Sequence, residues 1–200
     1  MAKLVWLLLI IVVVLGWRRC DANKTITEAG AWITETPRQV PAANAREWTV
    51  GDFVIRPLAD FSLQARVLSR EDYRLDTESE LAPTDLALGW QAMSDSAVLD
   101  KLKITQSGRW YHYRWGREGP PIPTREIVRS SANMHLIPAN DEVAKALKAA
   151  RKDQLIALRG QLVEVERPRD GWRWRSSTSR EDSGAGSCEV IWVESLSILR

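Results

Sequence analysis

The C-terminal segment, residues 155–199, constrains the fold more than any other part of the chain, because it predicts three strands joined by two turns. Apolar residues alternate along residues 155–166, which is the period of a strand with one buried face. The turn at residues 168–171 combines proline, aspartate and glycine, each of which favours a change of direction. A second break, rich in glycine and serine, covers residues 183–187. Two successive hairpins predict a meander of the kind found in small barrels and open sheets.

Two details of this segment carry further predictions. Gly160 lies inside the first strand, where a glycine indicates a bulge or a close approach of another backbone. The second strand alternates Trp172 and Trp174 on one face with Arg173 and Arg175 on the other. Alternation alone leaves open which of these two faces points to solvent.

The N-terminus carries an apolar run at residues 4–17, followed directly by Arg18 and Arg19. The run is short for a membrane-spanning helix, which needs ~20 residues, but a snorkelling lysine before it lets residues 1–19 cross as a single-pass anchor. A cleaved signal peptide is the alternative, and the two arginines stand where a cleavage site needs small residues. We therefore predict an anchor in a membrane, with the side of the following domain left open.

Behind the anchor, the sequence predicts a linker at residues 20–49 and one soluble α+β domain, richer in strand than in helix, at residues 50–200. Within the domain, Thr84 or Asp85 is predicted to cap a short helix, and Asn140 or the residue after it to cap a longer one. The part from residue 126 onward is compatible with a small Greek-key or OB-like barrel at the C-terminal end.

Rings and cations alternate in two predicted strands, at residues 109–115 and 172–175. If both strands share one sheet and turn these side chains outward, they form a platform on which a planar ligand stacks. If the rings point inward, they are core and the arginines are merely solvated. The binding residues predicted by the first alternative are Arg109, Trp110, Trp115, Trp172, Arg173, Trp174 and Arg175.

The charge balance limits the partners of such a surface. The formal net charge of +2 gives no general attraction to nucleic acid, so no nucleic-acid partner is expected. The leading prediction is a membrane-tethered, non-catalytic binding or scaffold protein whose partners are the lipid bilayer, through the N-terminal helix, and a protein or planar ligand.

A competing prediction is a membrane-anchored hydrolase or thiol enzyme. Cys188 is the candidate nucleophile, and His135 or His112 is the candidate base. The alternative is that Cys188 is a small core residue at the start of a strand, since cysteine is among the most buried residue types. The chain has two cysteines, Cys20 being the other, and two histidines, without the paired spacing of a zinc site. No metal and no cofactor are expected.

Four stretches together resemble an uncharacterised family of bacterial, N-terminally membrane-anchored proteins. They are Ala82-Pro-Thr-Asp-Leu-Ala-Leu-Gly-Trp90, Ser130-Ser-Ala-Asn-Met-His-Leu-Ile-Pro138, Asp170-Gly-Trp-Arg-Trp-Arg-Ser-Ser177 and Ser183-Gly-Ala-Gly-Ser-Cys-Glu189. The resemblance covers about residues 50–194 and implies a bacterial inner-membrane setting. It implies no activity, cofactor or catalytic residue.

Overall fold

The computed structural model describes residues 26–44, 46–179, 181 and 187–199, and these residues form a strand-rich fold with short helices, as the sequence predicts. The strands are β1 Arg38–Pro41, β2 Trp48–Val50, β3 Phe53–Asp72, β4 Thr84–Gly89, β5 Leu102–Ser107, β6 Trp110–Trp115, β7 Ser131–Pro138, β8 Leu155–Arg167, β9 Trp172–Arg175 and β10 Glu189–Ile198. The α-helices are α1 Ser96–Leu99, α2 Thr124–Arg129 and α3 Asp141–Ala149, and 3-10 turns cover Glu78–Glu80 and Gln91–Ser94.

Five strands close into a ring. Going around it, β3 pairs with β4, β4 with β7, β7 with β10, β10 with β8, and β8 returns to β3. Only the β7–β10 pair is parallel, and the other four are antiparallel. Strand β3 joins both ends of the ring because it is 20 residues long and pairs with β8 along its first part and with β4 along its last. The ring thus includes elements from well before the C-terminal segment.

Two residues explain how the long strands bend. Pro57 lies inside β3, and the β3–β8 register shifts between Pro57 and Ala59, because a proline in a ladder is tolerated at a bulge. Gly160 fulfils its prediction of close approach: a Cβ there would lie 2.0 Å from the carbonyl oxygen of Trp192. The β8–β10 register also shifts close by, just after Val193.

The interior of the ring is filled by the largest apolar cluster. It takes members from all five ring strands and from α3, including Leu63, Leu86, Leu136, Leu158 and Ile191. Since side chains alternate along a strand, the residues between these members lie on the outer face of the barrel. A second cluster there joins residues of β3, β7, β8 and β10 to the tryptophans of β2, β9 and β10.

Two helix predictions had different outcomes. The helix cap at Asn140 is confirmed, because its Oδ1 accepts a hydrogen bond from the amide of Val143 at 3.0 Å, and the helix covers Asp141–Ala149. The short helix capped at Thr84 or Asp85 is wrong: Thr84–Gly89 is strand β4, buried along its whole length between β3 and β7. Pairing on both edges outweighed the local capping signal.

The described part of the predicted linker packs on the domain. Strands β1 and β2 both pair with β3, and Ile26 and Ile33 are buried in the ring cluster. The amide of Ile26 also donates to the carbonyl of Asp153 at 2.9 Å. The predicted anchor, residues 1–19, lies outside the described residues. Within the described ranges, every helix is too short or too polar to cross a bilayer.

Candidate functional site

The candidate site lies on the outer face of β4 and β7. Asp85 and His135 are direct neighbours across these two strands, and they alternate with Leu86 and Leu136, which fill the interior. Asp85 is completely buried and His135 is 3% exposed. Two titratable side chains are therefore buried together at positions where apolar side chains would satisfy the fold. A buried titratable pair of this kind is a candidate for function.

His135 is held by a carboxylate and lies on a strand next to the one that Cys188 precedes. Its Nδ1 lies 2.8 Å from Oδ2 of Asp85, and Cys188 comes just before β10, the strand that pairs with β7 at His135. Cys188 is half-buried and immediately precedes β10, and the ring of Trp174 lies 4.8 Å from the imidazole ring.

The imidazole of His135 favours its protonated form. Burial lowers its pKa, but the hydrogen bonds and negative charges of Asp85 and Cys188 outweigh burial and raise the pKa to about 9. His135 therefore carries a positive charge at neutral pH.

Arg109 completes the polar cluster from the tip of the β5–β6 hairpin. Its Nη1 donates to Oδ1 of Asp85 at 2.8 Å, and its Nε and Nη2 bind both carboxylate oxygens of Asp76 at 2.9 and 2.8 Å. The ring of Tyr73 lies 3.9 Å from the centre of the guanidinium. Because Arg109 holds it through two bonds, the pKa of Asp76 falls to about 2. Arg109 is thus committed to these partners, with a side chain only 13% exposed.

Further hydrogen bonds fix the hairpin above the site. The amide of Arg109 donates to the hydroxyl of Tyr73 at 3.0 Å, and its carbonyl accepts from Asn133 at 3.1 Å. Gln106 donates to the same Asn133 at 2.6 Å. Arg109 has a φ of 69°, a left-handed backbone conformation that is uncommon for a residue other than glycine. The surrounding contacts hold it in that conformation.

The four predicted binding residues of β9 divide between two faces. Trp172 and Trp174 are half-buried and pack on the outer apolar cluster of the barrel. Arg173 and Arg175 are exposed and pair across the strands with Glu166 and Glu164. The rings of β9 are therefore turned toward the barrel.

The two tryptophans predicted in β6 are the exposed ones. Trp110 is 42% and Trp115 is 39% exposed. Strand β6 pairs with β5 in a two-stranded sheet of its own, while β9 lies on the edge of the barrel sheet. The two strands do not form the shared platform that was one sequence-based alternative. The β5–β6 hairpin approaches β9 at Arg109, whose guanidinium lies 5.9 Å from the ring of Trp174.

The site also contains residues that the sequence did not identify. Asp85 and Asn133 are both buried polar residues that stand among apolar neighbours in β4 and β7. An isolated polar residue in a strongly apolar strand was the available signal. His112, the other candidate base, lies in β6 and is exposed. Among the described residues, no group of three or more His, Cys, Asp or Glu side chains could hold a metal ion.

A comparison with protein-family models, with curated proteins and with solved structures finds no match to this chain.

Proposed function

We propose that Cys188, His135 and Asp85 form the catalytic centre of a membrane-tethered, cysteine-dependent acyl hydrolase. The observation that carries the proposal is the position of His135, with Asp85 Oδ2 at 2.8 Å from Nδ1 and Cys188 near it at the start of the neighbouring strand β10. A nucleophile bound to a base, with the base oriented by a third group, is the arrangement that activates hydroxyl and thiol nucleophiles on unrelated folds.

The chemistry follows from the charges. The sulfur of Cys188 attacks an acyl carbon, a C–S bond forms, and the leaving group departs with a proton from Nε2 of His135. Water then attacks the thioester while Nε2 takes its proton, and the sulfur leaves as the acid is released. Asp85 accepts the hydrogen bond of Nδ1 and fixes the orientation of the ring, so that Nε2 is the nitrogen that exchanges protons.

The barrel supports the location of the site by analogy. We infer that it is OB-like, because its ring order matches a five-stranded Greek-key barrel closed by β3, β4, β7, β10 and β8. OB barrels bind ligands on the face of their second and third strands, beside the loops after the first and fourth. Here those strands are β4 and β7, which carry Asp85 and His135. The analogy supports a ligand face and does not supply the reaction.

The tether rests on the apolar run at residues 4–17, which the resemblance places in a bacterial inner membrane. An anchored chain remains in the membrane fraction when membranes are washed at alkaline pH. Release of the chain into the supernatant would contradict the tether. That outcome would not contradict the proposed thiol centre.

Alkylation kinetics test the thiol centre. In the full-length Cys20→Ser protein, Cys188 is the only thiol, and we measure its rate with iodoacetamide at pH 7. We expect folded protein to react at least ~10-fold faster than the same protein in urea, because the imidazolium stabilises the thiolate. His135→Gln and Asp85→Asn should each remove most of this advantage.

The matched control is His112→Gln, which changes the exposed histidine of β6 and should leave the rate unchanged. Tryptophan fluorescence shows whether each variant is folded. A folded protein in which Cys188 reacts more slowly than in urea would refute a catalytic thiol, and equal rates in all histidine variants would remove His135 from its activation.

A second candidate function is protein binding through the hairpin, because Trp110 and Trp115 are large, exposed side chains. A photo-crosslinking residue placed at position 110 should then give one discrete adduct in membranes, while the same residue at the exposed Thr105 should give none. No adduct at position 110, or the same adducts at both positions, would leave the hairpin without a partner.

A further inference from the structure

A cavity of about 530 Å³ opens between α3 and the segment that follows β3. Its size falls within the range of small-molecule sites. Tyr73, Arg74 and Thr84 line one side of it, and Lys145 and Lys148 of α3 line the other. The cavity thus joins an aromatic ring to several cationic side chains.

Two charged residues of the lining, Arg70 and Asp72, are already matched by groups of the protein. Arg70 donates to the carbonyls of Leu147 and Ala150 at the end of α3, and its Nη2 lies 2.8 Å from Oδ1 of Asp72. The hydroxyl of Thr84 donates to the same carboxylate oxygen at 2.7 Å. Asp72 is therefore neutralised by groups of the protein and does not offset the cations at the rim.

The rim carries three cations without a protein counter-charge. Arg74, Lys145 and Lys148 are exposed, and none of them has an ion-pair partner among the residues that the structure describes. The remaining acid of the lining, Asp141, is the first residue of α3, where its charge is favoured by the helix dipole. The lining is therefore positive overall.

We propose that this cavity binds a phosphate group. Two lysines and an arginine that converge on one opening provide point charges and a planar donor, the combination that binds phosphate oxygens in proteins. Tyr73 gives the cavity a fixed wall, because its hydroxyl accepts from the amide of Arg109 at 3.0 Å and its ring contacts that guanidinium. The cavity is distinct from the thiol centre, so the phosphate site does not depend on the proposed catalysis, while a lipid source of the phosphate rests on the proposed tether.

The phosphate has two possible sources, a free phosphate compound and a lipid headgroup. Leu75, fully exposed beside Arg74, favours the headgroup, because an apolar side chain next to cations suits the surface of an anionic bilayer. The described chain also begins at Ile26, which is bonded to Asp153 just beyond α3. The eight residues between the apolar run and Ile26 span at most ~28 Å when extended, which keeps this end of the barrel near an anchoring membrane.

Lysine footprinting tests both sources in one experiment. Full-length protein is mixed with nanodiscs of phosphatidylcholine, with or without inorganic pyrophosphate, or with nanodiscs that contain phosphatidylglycerol. Amine acetylation is then quantified at each lysine by mass spectrometry. We expect at least fivefold protection of Lys145 and Lys148, while Lys101 and Lys103, exposed lysines at β5, keep their rates.

The outcomes are distinct. Protection by pyrophosphate assigns the cavity to a free phosphate compound, and protection only on phosphatidylglycerol assigns it to a headgroup. Arg74→Glu should abolish either effect, whereas Arg114→Glu, the same charge change at an exposed arginine of β6, should preserve it. No protection under either condition, equal protection of all four lysines, or equal effects of the two variants would overturn the proposal.

Discussion

Replacing Asp85 by asparagine should change the stability of the protein in a pH-dependent way. Asp85 is fully buried and is bonded to both His135 and Arg109. The increase in the pKa of His135 from 6.5 to about 9 corresponds to on the order of 3 kcal/mol of stabilisation, at ~1.4 kcal/mol for each tenfold change in proton affinity. Arg109 keeps its bonds to Asp76 in the variant. Loss of its charged hydrogen bond to Asp85 therefore adds only about 2 kcal/mol to the destabilisation.

The sign of the pH dependence follows from linkage. Because the folded pKa of His135 is raised, its contribution is fully present below pH 6.5 and is lost as the pH rises through about 9. In Asp85→Asn the carboxylate that raises the pKa of His135 is gone, while burial still lowers that pKa. The variant therefore loses much of this contribution at acid and neutral pH. The difference in the free energy of unfolding between the two proteins should be larger at pH 6 than at pH 9.5, by up to about 3 kcal/mol.

Urea unfolding of the full-length protein, followed by tryptophan fluorescence at pH 6 and pH 9.5, measures this difference. Asp76→Asn is the control, because Asp76 binds Arg109 and does not contact His135. It should destabilise the protein by a similar amount at both pH values. A difference between wild type and Asp85→Asn that is the same at pH 6 and pH 9.5 would refute the assignment of the charge to His135.

Two further predictions concern the fold. Gly160→Ala should lower the free energy of unfolding by several kcal/mol, because its Cβ would lie 2.0 Å from the carbonyl oxygen of Trp192. Gly116→Ala, whose Cβ would meet nothing within 4 Å, should change it little. Equal urea midpoints of the two variants would contradict the close approach. Arg66→Met should lower the free energy of unfolding by about 3 kcal/mol, because Arg66 is 3% exposed and its guanidinium binds Asp153 and three further groups. A urea midpoint within error of the wild type would contradict a structural role for Arg66.

The predictable parts of the fold were those in which local signals and burial agree. The alternation at Trp172–Arg175 gave a strand with its rings on one side, and Gly160 gave a close backbone contact, because both patterns reflect side-chain geometry within one strand. The signal for the helix cap at Asn140 also involves only residues close together in the sequence. At Asp85, by contrast, a helix-capping signal opposed strand pairing on two edges, and the pairing partners are distant in the sequence.

The candidate site shows the same division. Cys188 and His135 could be chosen from the sequence because few residue types perform nucleophilic chemistry, and the structure brings them together. Arg109 was chosen only as part of a stacking platform, and Asp85 only as a helix cap. Their contacts at the site could not be predicted, since they depend on β4 lying beside β7 and on the hairpin folding over both. The shared Trp/Arg platform likewise depended on sheet membership, which no alternation pattern specifies.

The most direct test of the central claim is the reaction of the Cys20→Ser protein with p-nitrophenyl acetate. If Cys188 is the nucleophile, p-nitrophenol should appear in a burst, and mass spectrometry of the quenched protein should find the acetyl group on Cys188. The burst should be lost in Cys188→Ser and strongly slowed in His135→Gln. Acetylation confined to lysines, with release of p-nitrophenol unchanged in Cys188→Ser, would contradict the account.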